Sequence, residues 1–204
     1  EEGAVAPAPA AEDYSDVLVC QVTDVGGIDD KSFNATAWKG VQDAVAEYGI
    51  EGKFLESQQQ TDYEVNINAF LEEACDLIIP VGFLLADATA AAAEANPDQH
   101  FAIIDVDYLE FPNLRGSGFA INEATFLNGY LAAGMTKTGT VATYVGIAFP
   151  ATTVFMDGFV LGVRHYNEVH GTDVKVLGWN PETQEGLAVG NFESTDDGLS
   201  LIHI

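Results

Sequence analysis

Residues 17–34 constrain the fold of this chain more than any other stretch. They begin with the apolar run VLVCQV, pass through a turn that contains Gly26 and Gly27, and lead into a helical pattern that starts at Ser32. In an open parallel sheet, the loop after the carboxyl end of a strand is where ligands bind. The sequence therefore predicts a ligand-binding loop, whose candidate side chains are Asp24, Asp30, Ser32, Phe33 and Asn34.

Strand-like and helix-like segments alternate after this loop. Short apolar runs at 53–55, 76–81 and 101–104 predict three further strands, and helical patterns separate them. Near-continuous apolar strands that alternate with helices are typical of a parallel α/β sheet. The helix at 32–48 is expected to bury one stripe, formed by Phe33, Ala37, Gly40, Val41, Ala44, Val45 and Tyr48.

The same pattern restarts near residue 122 and predicts a second α/β lobe. This lobe contains strands at 140–146 and 174–177, with a helix at about 152–169 between them. So few strands leave a sheet edge unpaired, and the lobe is therefore expected to be incomplete. The predicted organisation is a flexible Ala/Pro/Glu tether at 1–13, a first lobe at 14–121, a partial second lobe at 122–198 and an atypical apolar tail at 199–204.

The charge of the chain excludes one class of partner. Only 7 Lys and Arg residues stand against 32 Asp and Glu residues, which gives a formal charge of −25. A surface this acidic repels phosphate backbones and anionic lipid, so no nucleic-acid partner is expected.

The two cysteines, Cys20 and Cys75, lie in or beside apolar runs. This position favours buried small hydrophobic side chains, and a disulfide between neighbouring strands is also possible. The four histidines are scattered, and no spacing suggests a metal site. We therefore expect neither a metal nor a cofactor.

Acidic side chains follow two of the predicted strands. Asp24, Asp29 and Asp30 come after the first strand, and Asp105 and Asp107 come after the fourth. Strands of one parallel sheet end at the same edge, so these carboxylates could capture a polar ligand or hold Mg²⁺ for phosphoryl transfer. The sequence leaves both interpretations open, as well as the plain one that acids populate loops.

Signals for catalysis are weak. No phosphate-binding loop is present, and Gly26-Gly27 lacks the third glycine of a dinucleotide fingerprint. The sequence also contains no nucleophile elbow. We therefore expect a binding protein and not an enzyme, with a magnesium-dependent phosphatase as the alternative.

Two aromatic residues could hold a planar ligand. Phe33 and Phe155 each lie near the start of a helix that follows a strand, one in each predicted lobe. Two such rings could stack on the two faces of a base. Spacing alone favours core packing for Phe155, because Phe155, Phe159 and Val163 form a helical stripe.

Several motifs together resemble one known family. They are residues 22–34 with 38–40, then 76–83, 101–105, 123–134 and 155–163. These segments resemble the basic membrane protein (BMP) family, which comprises substrate-binding lipoproteins of ABC importers and includes purine nucleoside receptors. The similarity extends over about residues 15–198.

The resemblance implies a fold and a site. The fold would be the two-lobed type I periplasmic-binding-protein architecture, with a nucleoside, most simply a purine nucleoside, held between the lobes and delivered to ABC permease subunits. The residues implied on the first lobe are Asp24, Asp30, Phe33, Asn34 and Asp105, with Gly82 and Phe83 as further contacts, and Phe155 is implied on the second.

The resemblance also implies a location and a missing part. The protein would be extracytoplasmic, and an N-terminal lipid anchor would be its only contact with a membrane. Family members continue beyond the matched region with segments that contribute groups to ribose binding. The chain is therefore expected to be truncated at its C-terminus relative to the family.

Overall fold

The computed structural model describes residues 14–192 and 194–202. The chain divides into an N-terminal unit that ends at Gly118 and a C-terminal unit that begins at Phe119. The sequence predicted this division three residues later. The predicted tether at 1–13 and the last two residues of the predicted tail lie outside the described residues.

The N-terminal unit is built on a five-stranded parallel sheet with the order β2-β1-β3-β4-β5. This order places β1 between β2 and β3. A single 3₁₀ turn at Phe83–Leu85 precedes the third helix. The elements are β1 (Leu18–Val22), α1 (Phe33–Tyr48), β2 (Glu51–Leu55), α2 (Asp62–Glu72), β3 (Leu77–Pro80), α3 (Ala86–Ala95), β4 (His100–Ile104) and β5 (Leu114–Ser117).

The main core of the N-terminal unit lies where α2 and α3 cover the sheet. Ile67 and Phe70 of α2 pack in one cluster with Ile78 of β3 and Phe101 of β4, and all four are buried. The two cysteines belong to this cluster. They form a disulfide that joins β1 to the segment before β3, with 6.1 Å between the two Cα atoms. Of the two possibilities that the sequence left open, the structure contains the bonded pair.

The predicted buried stripe of α1 is wrong at most of its positions. Val41 alone of that stripe is buried, whereas Phe33, Val45 and Tyr48 are exposed. The cause is the place of α1 over the edge strand β2, where a Cβ at Gly52 would lie 2.8 Å from Val41 Cγ1. The helix therefore contacts the sheet through Val41, and most of its other large apolar side chains remain exposed.

The C-terminal unit contains a smaller parallel sheet of two strands, β6 and β7. The predicted strand at 140–146 is only three residues long, and a short antiparallel pair, β8 and β9, was not predicted. The elements are α4 (Ile121–Met135), β6 (Thr140–Ala142), α5 (Pro150–His170), β7 (Lys175–Leu177), β8 (Trp179–Asn180), β9 (Glu185–Gly186) and α6 (Thr195–Ile202).

Helices α4 and α5 pack with their backbones in close approach. A Cβ at Gly129 of α4 would lie 2.0 Å from the carbonyl oxygen of Phe159, and a Cβ at Gly162 of α5 would lie 2.0 Å from that of Phe126. Only glycine allows this distance at both positions. The pair leaves a row of apolar side chains of α4 exposed, namely Leu127, Leu131 and Met135.

The predicted tail at 199–204 is not a separate segment over its described part. Residues 199–202 continue α6, whose first turn is closed by an N–H donated from Asp197 to Oγ of Ser194 at 3.1 Å. The loop before the tail therefore caps a helix, and the apolar residues form the last turn of that helix. In the described parts of the chain, we find no helix with the length and apolar character required to cross a bilayer.

Candidate functional site

The loop between β1 and α1 is organised around the side chain of Asn34. This side chain is buried, and its Nδ2 donates to Oδ1 of Asp24 at 2.7 Å and to Oδ2 of Asp30 at 3.2 Å. Oδ1 of Asp24 also accepts the backbone N–H of Gly26 at 2.9 Å. Three of the five side chains predicted in this loop, those of Asp24, Asp30 and Asn34, are therefore brought together in one network.

The N-cap residue of α1 is Ser32, but the side chain of Asp30 is the group that caps the first turn of the helix. The carboxylate of Asp30 accepts the backbone N–H groups of Ser32, Asn34 and Ala35 at 2.8–3.0 Å, which satisfies donors that the first turn of a helix leaves unpaired. Partial burial acts to raise the pKa of Asp30, but the hydrogen bonds from Ala35, Ser32 and Asn34 outweigh it and hold the pKa below its usual value. Asp30 is therefore a carboxylate at neutral pH.

Gly82 follows the end of the neighbouring strand β3 and lies close to the side chain of Asp24. The N–H of Val81 donates to the carbonyl of Val22 at 3.0 Å, and the N–H of Gly82 donates to that of Ile104 at 3.1 Å. Gly82 has φ of 104°, and a Cβ there would lie 3.0 Å from Oδ2 of Asp24. The position requires glycine both for its backbone and for its neighbour.

The two further residues predicted on this edge differ in environment. Phe83 is half-buried and packs against the main core, which gives its ring a structural role. Asp105 follows β4 with φ of 69°, and its N–H donates to the carbonyl of Ser117 at 2.8 Å. Burial, and then the charge of Asp107, raise the pKa of Asp105. The structure thus brings Asp24, Gly82 and Asp105 to adjacent strand ends.

The two candidate stacking residues are equally exposed. Phe33 is the first residue of α1 and is 40% exposed, and Phe155 in the second turn of α5 is also 40% exposed. The buried stripe of α5 is Met156, Val160 and Val163, so Phe155 lies outside the core that its spacing favoured.

Phe155 lines a pocket of about 370 Å³ within the C-terminal unit. The pocket lies at the start of α5, where Oγ1 of Thr152 accepts the N–H of Phe149 at 2.9 Å and so fixes the first turn. Its wall combines apolar and polar side chains, among them Thr125, Asn128, Tyr144, Thr152 and Phe159. Sequence reasoning missed Asn128 as a candidate, although it lies within the motif at 123–134.

A second residue that sequence reasoning missed is Gln21. It lies in β1, is fully buried, and donates from Nε2 to the backbone carbonyl of Asn34 at 3.0 Å. The available signal was one amide side chain inside an otherwise apolar strand. Gln21 therefore links β1 to the first turn of α1 through this hydrogen bond.

The carboxylates do not suit the magnesium alternative. Over residues 14–192 and 194–202, no three His, Cys, Asp or Glu side chains form a group that could hold a metal ion. Oδ1 of Asp24 and both carboxylate oxygens of Asp30 instead accept N–H groups. The arrangement can bind polar groups, and it offers no support for phosphoryl transfer.

Comparisons with known proteins agree with one family. The profile of the family described as "Bmp: ABC transporter substrate-binding protein PnrA-like" matches residues 17–202. The "ABC transporter nucleoside-binding protein BmpA" of Lactococcus lactis is 31% identical over 189 residues, which are 90% of this chain and 54% of that protein. "Basic membrane protein A" of Borreliella burgdorferi is 32% identical over 181 residues, or 87% of this chain and 53% of that protein.

A solved structure shows the same fold. The crystal structure of an ABC transporter system solute-binding protein from Aeropyrum pernix K1 has a TM-score of 0.77 and 30% identity, and the match covers 91% of this chain and 50% of that one. The chain thus spans about half the length of the relatives it matches.

Proposed function

This chain belongs to the Bmp family of PnrA-like ABC transporter substrate-binding proteins, and from that premise we propose that it captures a nucleoside outside the cytoplasm and delivers it to an ABC permease. The observation that carries the proposal is the network of Asp24, Asp30 and Asn34, together with the half-exposed ring of Phe33, the residue that precedes Asn34. A polar network next to an aromatic face suits a small polar ligand with a planar ring.

The planar part of the ligand would stack on Phe33 of one unit and Phe155 of the other. Base–aromatic stacking contributes roughly 1–3 kcal/mol per base. We favour a purine, because two fused rings offer more area for stacking than one. The exposure of both rings supports this role, since core residues of either unit would be buried.

The charge at the start of α1 favours a neutral nucleoside over a nucleotide. Helix N-termini commonly bind phosphate through their free N–H groups. Here the carboxylate of Asp30 accepts three of those N–H groups, and Asp24 lies beside it. A phosphate would meet negative charge where other α/β proteins offer positive charge.

The proposed activity is transport without chemistry. In such proteins, a ligand shifts the population toward the state in which it makes more contacts, and the permease recognises that state. The buried disulfide of Cys20 and Cys75 supports an extracytoplasmic location, because disulfides persist in oxidising compartments. Attachment through a lipid at the N-terminus is part of the same proposal.

A calorimetric and thermal-shift screen tests the proposal. The panel contains adenosine, guanosine, inosine, uridine, free adenine, free ribose and adenosine 5′-monophosphate. We expect purine nucleosides to bind best, and a ligand at a hundred times its Kd to stabilise the fold by about 2.7 kcal/mol. Ribose and the monophosphate are the matched negative controls. The proposal is wrong if no nucleoside binds or shifts the melting temperature.

A further inference from the structure

We infer that the Asn34 side chain acts on a ligand only as a hydrogen-bond acceptor, so that the group it meets must be an N–H or O–H donor. This inference rests on the proposed function and adds a rule of selectivity to it. The juxtaposition that carries it is a buried amide held between two carboxylates.

Both amide hydrogens of Asn34 are already used. One is donated to Oδ1 of Asp24 at 2.7 Å and the other to Oδ2 of Asp30 at 3.2 Å. An ordinary amide can rotate by half a turn and exchange its donor for its acceptor. Here that rotation would place the amide oxygen against two carboxylate oxygens, so the orientation is fixed.

The amide oxygen of Asn34 is left without a partner. This Oδ1 atom is buried, and no hydrogen bond to it is made by any residue at 14–192 or 194–202. Oε1 of Gln21 is also buried without a hydrogen-bond partner among the described residues, while Nε2 of that side chain donates to the backbone carbonyl of Asn34. Buried polar atoms are normally hydrogen-bonded, and an exception indicates an absent donor.

The carboxylates of Asp24 and Asp30 can likewise act only as hydrogen-bond acceptors. Oδ1 of Asp24 is already engaged by the N–H of Gly26 and by Asn34, whereas Oδ2 accepts no hydrogen bond from the described residues. The first-turn N–H groups at Ser32, Asn34 and Ala35 point at Asp30. The network of Asp24, Asp30 and Asn34 therefore offers acceptors, and both amide hydrogens of Asn34 are committed.

This arrangement defines the ligand atoms that fit. The donors considered are the exocyclic amine of adenosine, the ring N–H of inosine and the 2′-hydroxyl of the ribose. Purine riboside has the same rings and ribose as adenosine but no N–H on its base, and 2′-deoxyadenosine lacks one hydroxyl. These two probes separate a donor on the base from the 2′-hydroxyl of the ribose.

The test compares the Kd values of adenosine, purine riboside and 2′-deoxyadenosine for the full chain and for Asn34→Leu. In the unchanged protein, we expect at least one probe to bind about tenfold or more weakly than adenosine, because it leaves a buried acceptor unpaired. In Asn34→Leu, that ratio should fall to within about twofold of one. A loss confined to purine riboside assigns the donor to the base, and one confined to 2′-deoxyadenosine assigns it to the ribose.

Two results overturn the inference. If adenosine binds but both probes bind equally well, or if their ratios do not change in Asn34→Leu, the acceptor rule is wrong while the proposed function stands. If adenosine does not bind at all, both the proposed function and this inference fail.

A measurement on the unchanged protein decides the matter if Asn34→Leu does not fold. In a ¹⁵N-resolved NMR spectrum, the side-chain amide hydrogens of Asn34 should be protected from solvent exchange, both alone and with adenosine bound. Rapid exchange in the free protein contradicts a fixed amide. So does a hydrogen bond that these hydrogens donate to adenosine instead of to Asp24 and Asp30.

Discussion

The two units of this protein differ in how much of their apolar surface is buried. The N-terminal unit encloses a five-stranded sheet, and its main core includes a disulfide. The C-terminal unit has two parallel strands and a small core around Met156 and Trp179, and it exposes the row Leu127, Leu131 and Met135. Stability should therefore depend mainly on the N-terminal unit.

The units also offer a ligand different chemistry. Phe33 and Phe155 are equally exposed, but Phe33 lies beside carboxylates and a fixed amide, whereas Phe155 lines a pocket of mixed apolar and hydroxyl side chains. This difference supports the proposed division of roles, in which Asp24, Asp30 and Asn34 recognise polar groups of the ligand and Phe155 contacts its planar part.

The largest expected effect is on the core of the N-terminal unit. Phe70→Ala removes a fully buried ring and should lower the free energy of unfolding by about 3–5 kcal/mol. The matched control, Leu131→Ala, truncates an exposed side chain of α4 and should stay within about 0.5 kcal/mol. Urea denaturation measures both. Equal losses would remove the contrast between the units.

Removal of the disulfide should have the next largest effect. The bond links residues 55 positions apart, so Cys20→Ala with Cys75→Ala frees a long loop in the unfolded chain. We expect a loss of about 2–4 kcal/mol. Reduction of the unchanged protein with dithiothreitol is the control and should lower stability to a similar extent. A double variant as stable as the oxidised protein contradicts the prediction.

Gly82→Ala should destabilise the strand edge by about 1–3 kcal/mol, because alanine is strained at this φ and its Cβ would crowd Asp24. Gly40→Ala is the matched control, since Gly40 lies inside α1 with open space around it. That change should stabilise the protein by up to about 1 kcal/mol. Thermal denaturation distinguishes a loss from a gain, and two changes of the same sign would contradict the account.

The smallest expected effects depend on pH and have opposite signs at two aspartates. The pKa of Asp30 is lowered on folding, so its contribution is present above the unfolded pKa and is lost as pH falls through the folded pKa. Because the Asp30 side chain caps α1, Asp30→Ala should lower the free energy of unfolding by about 0.5–2 kcal/mol at pH 7. This loss should shrink below about pH 4.

Asp105 should behave in the opposite way. Its pKa is raised on folding, so its charge costs stability at neutral pH, and that cost disappears as pH falls through the folded pKa. Asp105→Asn should therefore stabilise the protein slightly at pH 7 and have little effect at pH 3, since asparagine also tolerates a positive φ. Unfolding curves at both pH values give the sign. A destabilised variant at pH 7 would contradict the raised pKa.

The N-terminal unit was the more predictable from sequence. Its strands are short apolar runs bounded by turns, and the loop at 23–31 combines glycines with acids. The strands and the loop could therefore be predicted from the sequence. The burial of α1 could not be predicted, because it depends on where the helix lies relative to the sheet edge. The pairing of Cys20 with Cys75 also could not, since it depends on β1 and β3 being neighbours.

Sequence reasoning was less accurate for the C-terminal unit. The spacing of Phe155 favoured a core position, but the structure buries the adjacent stripe at Met156 and Val160 instead. Helical periodicity locates a stripe only to within one residue when apolar residues occupy both neighbouring positions. The contacts of Asn34 are likewise invisible in sequence, because they join side chains whose distance depends on the turn.

One binding measurement tests the central proposal that Phe33 and Phe155 each stack on a bound nucleoside. The Kd of adenosine is determined by calorimetry for Phe33→Ala and Phe155→Ala, with the exposed Tyr48→Ala and Leu161→Ala as matched controls. Each phenylalanine variant should weaken binding by about 5- to 150-fold, the equivalent of roughly 1–3 kcal/mol of stacking, whereas the controls should stay within about twofold. Unchanged affinity in either phenylalanine variant, with the fold intact by circular dichroism, would contradict the account.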